Sequence, residues 1–157
     1  MRYLKLAVLI IGIICLQSLF SSYGKLFGIT PDLLLIVVVI WGVWRGGVEG
    51  ALLGFTLGLF QDIFSSTVYL HLISKTLVGF SAGILKENLY GDESYISMIL
   101  VFGLTFLSLL IDGGLVYFLD RTLPGAPFLI PFSSLYNVLL TPLLYPLAKY
   151  FIPREEY

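Results

Sequence analysis

The stretch that decides the reading of this chain is Gly46–Ile63, GGVEGALLGFTLGLFQDI. Charge occurs in it only at Glu49 near its start and Asp62 near its end, with sixteen other residues that are small, apolar or uncharged. Its apolar residues do not alternate with polar ones, so the segment reads as a helix rather than a barrel strand. At ~1.5 Å of rise per residue it reaches most of the way across a hydrocarbon core of ~30 Å. Gly50, Gly54 and Gly58 recur every four residues and line one helical face with bare backbone, against which another helix can approach closely. The rest of the chain repeats this character.

Of 157 residues, 58% are hydrophobic and 12% charged, with a mean hydropathy of +0.96. Ordinary soluble domains carry about 25% charged residues, so half that content cannot cover a water-soluble globule. The composition excludes a soluble enzyme, a nucleic-acid binder and a disordered chain. It predicts an all-α integral membrane protein built as a bundle of six transmembrane helices, in one domain over 1–157. The expected spans are 3–20, 31–44, 46–63, 69–85, 95–118 and 131–151. Thr30 is expected to cap the second span, with Pro31 as its first helical residue. Pro142 and Pro146 are expected to kink the sixth.

With the N-terminus inside, six of the Lys and Arg residues at span ends (Arg2, Lys5, Arg45, Lys86, Lys149 and Arg154) lie on the cytoplasmic side, and Lys25 and Arg121 lie outside. That bias puts both termini in the cytoplasm. The charged Met1–Tyr3 start could open a signal peptide, but no small-x-small cleavage site follows, so an uncleaved first helix is expected. Cys15 lacks the small residue before it that a lipoprotein signal requires and is expected to be buried. A single cysteine and a single histidine, His71, offer neither a disulfide framework nor a metal cluster, and no cofactor is implied.

Two groups of residues stand out. Gly79 and Gly83 repeat the small-residue pattern of Gly50, Gly54 and Gly58, and the five are candidates for internal helix packing or for a partner's helix. Asp62, Lys75 and Asp112 are charges in apolar surroundings, each costing ~2.5–3.5 kcal/mol at a bilayer centre. The topology puts all three in the outer third of the bilayer, where Lys75 could snorkel outward and pair with either aspartate, or where the group could form a polar site. Arg45 and Glu49, four apart, are expected to pair. His71 has no evident carboxylate neighbour and reads as an interfacial residue. There is no Ser–His–Asp set, HExxH, aspartate pair or phosphate loop, so no enzyme activity is expected.

The run Pro31-Asp32-Leu33-Leu34-Leu35-Ile36, followed by Gly50, Gly54, Phe55, Gly58, Leu59 and Asp62 and then by Leu77–Gly83, resembles the bacterial rod shape-determining protein MreD family. The resemblance implies a multi-pass protein of the bacterial inner membrane, a non-catalytic scaffold of the cell-elongation machinery that builds side-wall peptidoglycan. It implies an MreC-like bitopic partner and, indirectly, MreB, RodA and a penicillin-binding transpeptidase, with no nucleic acid. A homodimer is compatible with it. The family's bundle also resembles the substrate-binding subunits of energy-coupling-factor transporters, which makes a small-molecule-binding subunit of a vitamin-type transporter the rival expectation.

Overall fold

The computed structural model describes residues 2–25, 28–65, 70–120 and 129–151. They form six helices and no strand: α1 (Arg2–Tyr23), α2 (Leu33–Arg45), α3 (Gly47–Ser65), α4 (Leu70–Glu87), α5 (Glu93–Asp120) and α6 (Ile130–Phe151). Every expected segment is a helix, and the bounds move by no more than a few residues. By length and apolarity one of them, over Glu93–Leu119, is long enough to cross a membrane, while Val8–Tyr23 and Leu33–Arg45 are shorter apolar helices. The sixth helix runs unbroken through Pro142 and Pro146.

The centre of the molecule is α2. Leu33 through Val43 are all buried, and all five other helices pack on this one. A helix apolar on every side can be satisfied only by being enclosed on every side. The α2–α3 corner turns on Gly46, whose φ of +91° suits a residue without Cβ, and its N–H caps α2 by donating to the Gly42 carbonyl. Just beyond it the Arg45 guanidinium meets Glu49 at 2.8 Å, as the spacing predicts.

The closest packing is between α3 and α4. A methyl group added at Gly54 would collide with the Lys75 carbonyl, one at Gly50 with the Gly79 carbonyl, and one at Gly58 would lie 2.6 Å from Leu72 Cα. Gly79 and Gly83 face the Gly50 and Gly47 backbone in return. Gly42 of α2 joins the same junction, where an added methyl group would lie 2.7 Å from the Gly79 carbonyl oxygen. The two glycine faces meet each other, so they are internal surfaces and not free ones. Outside, the bundle is apolar: Leu52 and Ile63 on α3, Leu77 on α4, Ile99 on α5 and Leu139 and Leu143 on α6 are all exposed. Cys15, expected inside, is exposed on α1, because only part of that helix's circumference is covered.

Gly54→Ala should lower the melting temperature of the detergent-extracted protein, at a cost of about 1–3 kcal/mol for forced overpacking. Gly103→Ala, where an added Cβ has open space, should leave it unchanged or raise it. Thermal unfolding followed by size-exclusion fluorescence checks both.

Candidate functional site: a polar hub at the start of the central helix

At 13 residues, α2 spans about 20 Å, well short of its neighbours such as the 28-residue α5. Its start, at Asp32, borders a hollow that residues of α1, α5 and α6 also line. A buried helix start has four backbone N–H groups without helical partners. Three of the four are met by side chains. Asn137 Oδ1 accepts from the Asp32 N–H at 2.9 Å, Gln17 Oε1 from the Leu33 N–H at 2.7 Å, and Asp32 Oδ1 from the Leu35 N–H at 2.9 Å. Gln17 also donates to the Pro31 carbonyl at 2.9 Å, and Asn137 donates to Thr105 Oγ1 at 3.1 Å.

Asp32 is thus the N-cap of α2, not Thr30. A carboxylate oxygen can accept from the third N–H of the helix, and as an anion it suits the positive end of the helix dipole. Its other oxygen, Oδ2, is paired with the Lys75 ammonium. Lys75 is completely buried, so it does not snorkel outward, and its partner is neither Asp62 nor Asp112. In a medium that cannot hydrate an ammonium, the helix-capping anion is the group that neutralises it.

The two remaining candidates do separate work. Asp62, near the end of α3, accepts from the backbone N–H groups of His71 (3.0 Å) and Leu72 (2.9 Å), and so caps α4 from outside that helix. Asp112, on α5, approaches His71 with Oδ2 3.6 Å from Nδ1. His71 therefore has a carboxylate neighbour after all, one that sequence distance concealed. The Asp112 Oδ1 atom is sheltered from solvent and has no hydrogen-bond partner among the described residues. The three expected residues thus share one end of the bundle but make three different contacts, and the residues that organise this end, Asp32, Gln17 and Asn137, were not among those expected.

Above this hub lies a cavity of about 390 Å³, lined by Gln17 and Lys25 from the α1 side, Asp32 at its floor, Gln61, His71, Thr105, Ser108 and Asp112, and Asn137 of α6. Among the described residues, no cluster of three or more His, Cys, Asp or Glu side chains could hold a metal ion. The hydroxyls of the helix interiors turn back on their own backbones, as Thr141 does to the Asn137 carbonyl at 2.9 Å and Ser97 to Glu93 at 2.7 Å. Nothing in this arrangement aligns a nucleophile with a base.

Fold and site together define an all-helical, apolar-surfaced bundle whose polar groups are concentrated at one end of its core. The chain belongs to the MreD family, described as rod shape-determining protein MreD, which it matches over residues 1–153. Comparison with curated proteins and with solved structures returned no match. Family membership assigns the chain to the determination of rod shape.

Asp32→Ala, which leaves a buried ammonium without its anion, should cost about 3–5 kcal/mol of stability. The double variant Asp32→Asn with Lys75→Met should recover much of that loss, and thermal unfolding of the single and double variants reads the coupling. Asp62→Ala, which removes one helix cap, should cost about 1 kcal/mol in the same assay.

Proposed function

We propose that this chain is a multi-pass protein of the bacterial inner membrane that acts as a non-catalytic scaffold of the elongation machinery. In this reading it maintains rod shape by binding an MreC-like bitopic partner and so supports side-wall peptidoglycan synthesis. MreB, RodA and a penicillin-binding transpeptidase are reached through that partner. The observation that carries the reading is the family match over 1–153 in a chain whose exterior is apolar on helix after helix. Such a surface is stable in lipid and offers helix faces, rather than an active site, as its means of action. The charge bias of the span ends supports an orientation with both termini in the cytoplasm and the polar cavity toward the outside. The glycine faces, consumed between α3 and α4, are not the partner's seat in this proposal. The partner instead meets an outward face of the bundle.

A second reading, a small-molecule-binding subunit of a vitamin-type transporter, draws on the polar cavity. Native mass spectrometry of gently extracted protein bearing a stoichiometric water-soluble ligand would favour it over the scaffold.

Affinity purification of the full chain in mild detergent should recover an MreC-like protein, and depletion of the chain should turn rods into spheres. Normal rods after depletion, or purification with no such partner from intact rods, would sink the scaffold reading.

A further inference from the structure

The polar cavity is not closed on all sides. A second hollow, of about 490 Å³, runs along the flank of the bundle and is lined by Ile14, Cys15, Leu34, Phe60 and Phe64. Both hollows are lined by Gln17, Ser21 and Gln61, so the polar one adjoins the apolar one across these three side chains. The hollow lies where, among the described residues, α1 packs on α2 and α6 but not on α3. One compartment is thus rich in hydrogen-bonding and charged groups, and its neighbour, between α1 and α3, is walled mainly by aliphatic and aromatic side chains.

The charges within reach define what fits. The Asp32 carboxylate is already engaged by Lys75 and the Leu35 N–H. Asp112 keeps one oxygen, Oδ1, sheltered and without a hydrogen-bond partner among the described residues, and it lines the cavity together with Thr105 and Ser108. A sheltered carboxylate oxygen calls for a cationic donor. Lys25, also lining the cavity, is exposed and offers the opposite charge. One anion and one cation in a hollow of ordinary small-molecule size (~300–1,000 Å³) suit a zwitterion, and the apolar groove suits a hydrocarbon tail.

We infer that the adjoining hollows bind one zwitterionic aminophospholipid, its ammonium on Asp112, its phosphate toward Lys25 and an acyl chain between α1 and α3. This rests on the membrane placement proposed above. A water-soluble ligand would leave the lateral groove unused, and a partner's apolar helix would bring no donor to Asp112 Oδ1 and no anion to Lys25.

The test uses the full chain in nanodiscs of equal phosphatidylethanolamine and phosphatidylglycerol, released for native mass spectrometry. One phosphatidylethanolamine per chain should be retained in preference to phosphatidylglycerol, and Asp112→Asn should reduce that preference about tenfold, as expected for loss of a charge-assisted hydrogen bond. Ile14→Trp, which fills the groove, should reduce retention of both lipids. Equal retention of the two lipids by the unmodified protein overturns the inference, whatever the variants do, and so does displacement by soluble phosphoethanolamine at the same concentration as the lipid. Because Cys15 is the chain's single cysteine and lines the groove, a benzophenone attached there should crosslink to lipid in whole membranes, and a protein adduct in its place counts against the lipid. Resistance to alkaline extraction reads membrane insertion separately, and partner recovery reads the scaffold role. Loss of lipid preference with both intact overturns this inference alone.

Discussion

The structure depends on how one buried helix start is satisfied. α2 is packed on by all five neighbours, so its first N–H groups are drawn away from bulk solvent and find partners inside the protein. Pro31, just ahead of the cap, brings no N–H of its own. Asp32, Gln17 and Asn137 supply acceptors for three of the rest. Lys75 then balances the charge that the cap brings. Four helices besides α2 (α1, α4, α5 and α6) are tied to this one point through Gln17, Lys75, Thr105 and Asn137. In a setting where apolar burial gives helices little reason to choose one neighbour over another, directional contacts of this kind fix their relative positions.

The shortness of α2 has a second consequence. A central helix about 20 Å long among longer ones leaves a depression above its start, and the residues that satisfy that start form the floor of the depression. The cavity and the structural hub are thus one feature seen from two sides. Glycine does the complementary work along α3 and α4, where backbone meets backbone at Gly50, Gly54, Gly58 and Gly79. The bundle is tied by polar groups at one end and held by close contact along its length.

Much of this was legible in the sequence. The helices could be read because apolar runs of helical length separated by polar turns have few other solutions, and the glycine spacing of Gly50–Gly58 and Gly79–Gly83 pointed to close helix contact. The polar hub was not legible to the same degree. Lys75, Asp62 and Asp112 were singled out because charge in an apolar run is costly, but Asp32 stands at the edge of its run, where a carboxylate costs less and attracts less notice. Reading Thr30 as the cap assigned the helix start to the wrong residue. Gln17 and Asn137 are uncharged, and nothing local ties them to residues 14 to 105 positions away. The available signal was Pro-Asp opening a run with no polar face: such a helix must begin inside the protein, and its start must then recruit polar partners from other helices.

The packing also distinguishes the helices in how firmly they are held. α3 and α4 share a backbone-to-backbone seam that admits no added methyl group, so relative sliding of this pair would open voids or collisions along its whole length. α1 has no such seam; among the described residues it packs on α2 and α6, and much of its surface, including Val8, Ile11 and Leu19, is exposed. Its polar attachment runs through Gln17, which holds both the Pro31 carbonyl and the Leu33 N–H. A displacement of α1 must therefore either break two hydrogen bonds at the start of α2 or carry that start with it. The same glutamine lines both hollows, so a group settled between α1 and α3 would lie beside the residue whose hydrogen bonds join α1 to the start of α2. The flank of the bundle and its polar core are linked through Gln17, over a single side chain's length.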